Sequence, residues 1–164
     1  MNCLGPLLNP VGVRYQLVGV YAESLVEPLA AALGELGSER ALVVHGCDGL
    51  DEVTTTGPTR GAFLRAGRVD SIVVEPERLG IPPPAPGALG GGDADENARI
   101  VRSVLEGEAG ARSDIVAINA AAALWVAGAS EDLAQGLEAA RESIDSGAAR
   151  ERLERLVRAT AEAA

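Results

Sequence analysis

The sequence has 164 residues, a length that suits one domain. Its 47% hydrophobic and 23% charged residues are typical of a folded globular protein, whereas aromatic residues make up only 2%. The formal net charge is −10, and all 14 basic residues are arginines. Nucleic acids require a basic surface or aromatic stacking platforms, which this composition excludes, so we expect no nucleic-acid partner.

Cysteine content and hydropathy indicate the compartment. The two cysteines, Cys3 and Cys47, are too few for a disulfide scaffold and lack zinc-site spacing, which favours a reducing, cytoplasmic setting. The first residues lack the pattern of a signal peptide. No apolar run approaches the ~20 residues of a membrane span, and the alanine-rich residues 115–127 are predicted to form a buried helix. We therefore expect no membrane partner.

Strand and helix patterns alternate near the start of the chain. Residues 14–21 contain β-branched and aromatic side chains and are predicted to form a strand. Residues 24–36 have leucines at helical spacing, and the apolar run 41–46 is typical of a strand in a parallel sheet. These segments predict a βαβ unit with residues 47–52 as the loop after its second strand. Ligands bind at that edge of open α/β sheets.

The following segments predict short strands and then a long loop. Residues 53–56 are predicted to form a short strand, and residues 62–66 and 69–74 a hairpin around Gly67-Arg68. Residues 81–92 hold four prolines and four glycines, which excludes both a helix and a central strand.

The remaining residues are predicted to be helical. One helix begins at Asp93, with Glu96 three residues later as in a capping box. Ser113 and Ser130 are the predicted N-caps of two more helices, and residues 148–164 have an amphipathic pattern. The helix after Ser130 carries an apolar stripe, formed by Leu133, Leu137, Ala140 and Ile144.

The predicted fold class is α/β. Residues 1–80 alternate strand and helix in a mostly parallel sheet, residues 81–92 form a loop, and residues 93–164 are helix-rich. We expect these three parts to belong to one domain, 1–164.

Three carboxylates lie close together on the predicted ligand-side loop. Asp48, Asp51 and Glu52 fall within five residues. Mg²⁺ prefers carboxylate oxygens and commonly takes one or two of them together with water and phosphate oxygens. Asp51 and Glu52 could each hold a metal ion if the backbone turns, which Gly49 permits. The alternative is an acidic turn that only faces water.

Four other features carry weaker signals. His45 is either a general base or, as we expect, a strand-end side chain bonded to the backbone. Cys47 has acidic neighbours, which disfavour a reactive thiolate, so we expect a structural role. Residues 90–93 (GGGD) resemble an anion-binding helix start, but their own acid favours capping over phosphate contact. Asn119 needs a partner, and we expect an inter-helix hydrogen bond rather than substrate contact.

Taken together, these motifs resemble the anthranilate phosphoribosyltransferase family. The specific combination is HG-x-DGLDE followed by GGD-x-x-EN and NAAAAL. The matching stretches occur in family order and cover most of the chain: 4–10 (LGPLLNP), 16–21, 43–52, 91–97 (GGDADEN), 119–128 (NAAAALWVAG) and 144–148 (IDSGA).

The resemblance implies a fold and an activity. The family shares the large domain of nucleoside phosphorylases and phosphoribosyltransferases, and it forms homodimers. In tryptophan biosynthesis it transfers the phosphoribosyl group of phosphoribosyl pyrophosphate (PRPP) to anthranilate, and two Mg²⁺ ions hold the released pyrophosphate. Asp51 and Glu52 match the metal-binding pair of the family. Gly5 and Pro6 match a backbone segment that lines the anthranilate channel.

The sequence also departs from the family's pattern. A glycine-rich phosphate loop, a Lys-His-Gly-Asn stretch, an anthranilate-contacting arginine and the helices of the dimer contact all belong before LGPLLNP, and none is present. We therefore expect this chain to correspond to the carboxyl-terminal half of the enzyme and to be inactive alone. The alternatives are a related transferase with another acceptor and a non-catalytic module that binds Mg²⁺ or a partner subunit.

Overall fold

The computed structural model describes residues 4–7 and 12–162, within which four strands form one mixed sheet in the order β1-β2-β3-β4. The strands are β1 (Tyr15–Gly19), β2 (Arg40–Gly46), β3 (Thr59–Arg65) and β4 (Arg68–Val74). β1 and β2 are parallel, whereas β2 with β3 and β3 with β4 are antiparallel. The α/β class is confirmed, but the sheet is mixed rather than mostly parallel. No helix lies between β2 and β3 to cross over the sheet, so the chain reverses direction there.

The predicted βαβ unit is present. A 3₁₀ turn, Glu23–Leu25, leads into α2 (Val26–Glu35), which connects β1 to β2. Gly37 has φ +94° after the end of α2, and the Ser38 N–H donates to the Leu33 carbonyl, as in a glycine-terminated helix. α2 buries Leu29, Ala30 and Leu33 against one face of the sheet.

The predicted hairpin is also present, with its turn one residue earlier in the chain. The turn residues are Ala66 and Gly67, whose φ angles are +49° and +72°. Two successive positive φ angles match the right-handed twist of a two-residue hairpin.

Residues 53–56 do not form the predicted strand. The segment is irregular, although Val53, Thr54 and Thr55 are buried. Its β-branched residues satisfy a strand pattern, but the backbone of Val53 is hydrogen-bonded to a helix side chain, Asn119, and not to another strand.

The described α-helices outside the βαβ unit are α1 (Leu4–Leu7), α3 (Ala94–Leu105), α4 (Ala111–Ala127), α5 (Leu133–Asp145) and α6 (Ala148–Glu162), and a 3₁₀ helix spans Pro76–Leu79. Residues 81–92 form the expected irregular loop before α3. Within the described ranges, no helix is long and apolar enough to cross a membrane.

The helix starts differ in part from prediction. Asp93 caps α3 as expected, because its carboxylate accepts from the Glu96 N–H at 2.8 Å. Ser113 and Ser130 are not N-caps. α4 begins after Gly110, and Asp132 caps α5 by accepting from the Gln135 N–H at 2.8 Å. Ser and Asp are nearly equal N-caps, so local sequence could not choose between Ser130 and Asp132.

The second face of the sheet is covered by α4, with α5 packed on it. Buried Ile118, Ala121 and Ala122 of α4 share one core cluster with Leu42 and Phe63 of the sheet. The predicted stripe of α5 faces the same cluster, with Leu137, Ala140 and Ile144 buried and Leu133 partly buried. Because helices pack on both faces of the sheet, polar side chains lie at the ends of the strands.

Candidate metal centre

The loop after β2 turns sharply before the two candidate metal ligands. Gly49 has φ +89°, a conformation that favours glycine. The Gly49 N–H donates to the Gly46 carbonyl at 2.9 Å, and the Gly46 N–H donates to the Leu50 carbonyl at 2.8 Å. This turn brings Asp51 and Glu52 back beside the carboxyl end of the sheet.

Gly19, the last residue of β1, allows this loop to lie against the sheet. A Cβ added at Gly19 would lie 1.4 Å from the backbone oxygen of Asp51, so any side chain there would displace the loop. Gly19 was not among the predicted site residues. The available signal was a glycine at the end of a strand, a position where another backbone often approaches closely.

Asp48 is engaged within the loop. Its Oδ2 accepts hydrogen bonds from the hydroxyls of Thr54 and Thr56, both at 2.6 Å, and its Oδ1 accepts from the Leu50 N–H at 3.2 Å. Partial burial favours a higher pKa for Asp48, but hydrogen bonds from Thr54, Thr56 and Leu50 outweigh it and lower the pKa. Asp48 therefore stabilises the loop through its hydrogen bonds. Its partners Thr54 and Thr56 belong to the segment that the sequence pattern predicts as a strand.

Asp51 and Glu52 are exposed at the bend that follows. Within residues 4–7 and 12–162, neither carboxylate forms an ion pair with an arginine. Glu52 also lines a cavity of about 290 Å³ together with Asn97 of α3 and Arg112 of α4. Glu52 therefore lies at the edge of the cavity, and neither acid is held by an arginine that would compete with a cation.

Negative charge accumulates at Glu52. Partial burial, followed by the nearby charges of Asp51 and Asp48, raises the pKa of the Glu52 carboxyl. A bound cation would relieve this repulsion.

The donor set fits Mg²⁺. Among the described residues, no group of three or more acidic, histidine or cysteine side chains forms a complete cage. Mg²⁺ does not need one, because it is often held by one or two carboxylates plus water and substrate phosphates. The hard oxygens of Asp51 and Glu52 supply that number of protein ligands.

Asn119 positions the segment that follows Glu52. Its side-chain oxygen accepts from the Val53 N–H at 2.9 Å, and its amide donates to the Val53 carbonyl at 2.8 Å. The amide also donates to the Ile115 carbonyl at 3.0 Å. The prediction of an inter-helix hydrogen bond is wrong. Asn119 bonds instead to the loop at Val53, whose backbone N–H and carbonyl have no strand partner.

The GGGD segment packs against α3 beside the cleft. The Asn97 side chain accepts from the Gly92 N–H at 3.0 Å and donates to the Gly92 carbonyl at 2.9 Å. A Cβ at Gly91 would lie 2.7 Å from Asn97 Oδ1, so a side chain there would crowd this contact. These contacts support the capping and packing interpretation. Gly90 and Gly91 also line the cavity beside Glu52.

His45 and Cys47 lie at the same end of β2. The Nδ1 of half-buried His45 is 2.8 Å from the Val20 carbonyl, which matches the expected backbone bond. Cys47 is an exposed free thiol.

The predicted anthranilate segment falls in α1. Gly5 and Pro6 are its central residues, Gly5 is exposed, and a Cβ there would meet no atom within 4 Å. Leu7 packs against the cluster that includes β1 and α2. Residues 8–10, which complete the LGPLLNP motif, lie outside the described residues.

Comparison with known proteins assigns the family. The model of the "Glycosyl transferase family, a/b domain" matches residues 1–150. The chain belongs to this family. It is 52% identical, over 159 residues, to the anthranilate phosphoribosyltransferase of Azorhizobium caulinodans. That match covers 97% of this chain but 46% of the relative, so the chain spans about half the length of the curated relatives it matches.

Solved structures agree with the family assignment. Anthranilate phosphoribosyltransferase from Thermus thermophilus has a TM-score of 0.83 and 39% identity, covering 93% of this chain and 45% of that one. The enzyme from Saccharomyces cerevisiae in complex with PRPP and Mg has a TM-score of 0.81 and 31% identity, covering 92% of this chain and 44% of that one.

Proposed function

We propose that this chain supplies the metal-binding part of an anthranilate phosphoribosyltransferase. The proposed reaction transfers the phosphoribosyl group of PRPP to anthranilate and releases N-(5-phosphoribosyl)anthranilate and pyrophosphate. The observation that carries the proposal is a pair of exposed carboxylates at the carboxyl end of β2, Asp51 and Glu52, which have no arginine partner in the part of the chain that the structure describes. Identity of 52% to a relative with this activity supports the choice of substrates.

In the proposed mechanism, Asp51 and Glu52 hold Mg²⁺ at the edge of the cleft. Mg²⁺, when bound, neutralises the negative charge that develops on departing pyrophosphate. Asp48 and Asn119 act by holding the loop in position through their hydrogen bonds. A protein with net charge −10 repels a free diphosphate, so cation binding at this loop also favours substrate binding.

Gly5 and Pro6 are proposed to line the path of anthranilate. We also propose that residues 1–164 form one part of a larger α/β domain, in a cytoplasmic homodimer without nucleic-acid or membrane partners. Coverage of less than half of each relative supports the place in a larger domain, and the acidic composition is unfavourable for a nucleic-acid partner.

The test is a chimera in which the matched residues of this chain replace the corresponding 159-residue match of the Azorhizobium enzyme. We expect transferase activity with PRPP and anthranilate from the chimera and none from the chain alone. Asp51→Asn and Glu52→Gln should each lower kcat/KM by about 100-fold or more, since even outer-shell changes at metal sites cost 10–100-fold.

The matched control is Glu138→Gln, which neutralises an exposed acid on α5 and should leave kcat/KM unchanged. A folded chimera that uses another amine but not anthranilate would favour a related transferase. Full activity of Asp51→Asn, or of the isolated chain, would contradict the proposal.

A further inference from the structure

β1 forms one edge of the sheet and pairs with a strand on one side only within the described residues. The hydrogen bonds at its two ends show which backbone groups face β2. The Arg14 carbonyl accepts from the Arg40 N–H at 3.2 Å, and the Val20 N–H donates to the Val44 carbonyl at 2.9 Å. Because backbone groups alternate between the two sides of a strand, the residues between these ends alternate as well. Those that direct their N–H and carbonyl groups to the outer side are Tyr15, Leu17 and Gly19.

β1 is nevertheless built like an interior strand. Leu17 packs against the core cluster on the α4 face of the sheet, and Val18 is buried in the cluster on the α2 face. Strands in parallel pairing are typically covered on both faces, in the interior of a sheet. The outer side of β1 therefore presents unpaired backbone groups beside two packed helical layers.

The two edges of the sheet differ in protection. Natural edge strands avoid unwanted pairing by means of charges, prolines or bulges. β1 has the sequence YQLVG, with neither a charge nor a proline, and its regular register with β2 leaves no bulge. β4, at the opposite edge, carries Arg68 and Asp70, whose side chains lie 3.7 Å apart. By this criterion β4 is built as an edge and β1 is built to be paired.

The relatives indicate what pairs with β1. More than half of the Azorhizobium enzyme lies outside its match to this chain, and more than half of the Thermus enzyme lies outside the superposition. We refer to the residues of such an enzyme outside the match as its complementary part.

We propose that the outer edge of β1 binds a β-strand of the complementary part of the enzyme. The added strand would continue the sheet, with affinity from hydrogen bonds to the outward backbone groups of Tyr15, Leu17 and Gly19. This inference rests on the proposed function, because that function requires the complementary part. It adds the surface through which the two parts join.

The test compares the full chain with the Azorhizobium chimera described above, in the absence of PRPP, anthranilate and Mg²⁺. Residue-resolved hydrogen–deuterium exchange reports on the outward N–H groups of Tyr15 and Leu17. We expect both to exchange at least about tenfold more slowly in the chimera, because pairing protects amides that water reaches in the chain alone.

Tyr15→Pro removes one outward N–H and places the proline ring at the edge. Proline is tolerated at the first residue of an edge strand, so the chain alone should fold, which circular dichroism checks. In the chimera, Leu17 should exchange about fivefold faster or more. The matched control is Tyr15→Ala, which loses the same side chain and its 3.1 Å hydrogen bond to Glu39 but keeps the N–H. It should leave the exchange of Leu17 unchanged.

Equal exchange of Tyr15 and Leu17 in the chimera and in the chain alone would overturn the proposal, as would equal effects of Tyr15→Pro and Tyr15→Ala. Slower exchange in the chain alone as its concentration rises would assign the edge to a second copy and also overturn it. If the chimera does not fold, the tagged chain is coexpressed with the complementary part. Failure to recover a 1:1 complex then overturns the proposal.

These outcomes are separable from failure of the transferase proposal. Exchange is measured without substrates, and Asp51→Asn in the chimera should leave the protection of Leu17 intact. A protected but inactive chimera would contradict the transferase proposal alone. An active chimera with an unprotected β1 edge would contradict only the strand pairing.

Discussion

Three acids of one short loop have different tasks because their neighbours differ. Asp48 accepts three hydrogen bonds from Thr54, Thr56 and Leu50, whereas Asp51 and Glu52 remain exposed. A carboxylate that is saturated by hydrogen bonds stabilises the loop and has little capacity left for a cation. The loop therefore separates a structural acid from two candidate ligands.

Neutralising Asp48 should weaken the fold in a pH-dependent way. The pKa of Asp48 is lowered in the folded protein, so its contribution is present above the unfolded pKa of about 3.9 and is lost as pH falls through the folded pKa. We expect Asp48→Asn to lower the free energy of unfolding by about 1 kcal/mol at pH 7, since solvent weakens bonds to an exposed carboxylate. The difference from the parent should vanish at strongly acidic pH. Urea unfolding from pH 7 down to pH 2 measures both.

The control for this change is Asp145→Asn. Asp145 is an exposed acid at the end of α5 with no ion pair among the described residues. It should shift the free energy of unfolding by less than about 0.5 kcal/mol. A constant difference between Asp48→Asn and the parent at every pH would contradict the assigned role.

At the level of elements, α4 supports both the core and the metal loop. Its alanines allow the helix to lie close to the sheet, with Ala121 and Ala122 fully buried. Asn119 on the same helix satisfies both backbone polar groups of buried Val53. One helix thereby fixes an irregular segment that no strand pairs with.

Removing the Asn119 side chain should destabilise this segment strongly. Asn119→Ala leaves the buried N–H and carbonyl of Val53 without their partner, which we expect to cost about 2–4 kcal/mol in the free energy of unfolding. Asn119→Asp keeps an acceptor for the N–H and should lose less. Chemical denaturation measures stability, and hydrogen–deuterium exchange of residues 48–56 should increase.

Val116→Ala is the control on the same helix, since Val116 is exposed and should shift stability by less than about 0.5 kcal/mol. Unchanged exchange of residues 48–56 in Asn119→Ala would show that the loop does not depend on this side chain.

For the whole molecule, exposed apolar side chains and high net charge have opposite effects on self-association. Val101 of α3 is 47% exposed and Val157 of α6 is 51% exposed, and both line a groove of about 500 Å³ between these helices. Such a groove favours association. The net charge of −10 opposes it.

We expect the isolated chain to self-associate more as salt increases. Charge repulsion is screened over about 10 Å at 0.1 M salt, whereas apolar contact persists. Sedimentation velocity at 0.02 M and 0.5 M sodium chloride should give a higher weight-average mass at high salt. Val101→Gln combined with Val157→Gln should reduce that increase.

Arg155→Gln is the control, because it changes an exposed polar position of α6 outside the lining of the groove. A mass that is independent of salt, or unaffected by the paired substitutions, would contradict a role for the groove in association.

Much of the fold could be predicted from local pattern. The βαβ unit, the hairpin, the long loop and the Asp93 cap all follow from periodicity, glycine placement and capping chemistry, which act between residues close in sequence. The mixed direction of the sheet could not be read in this way. Strand direction depends on the connection between β2 and β3, which contains no crossover helix. Residues 53–56 in that connection have the sequence pattern of a strand but pair with no strand.

The acidic loop and its position after a buried strand were evident from residue order, since neighbours in sequence stay neighbours in space. Folding assigned Asp48 to hydrogen bonds, Asn119 to the backbone of Val53, and Gly19 to the close approach of Asp51. The contact between Asn119 and Val53 joins residues 66 positions apart. No local periodicity encodes such distances, because the packing of separate elements creates them.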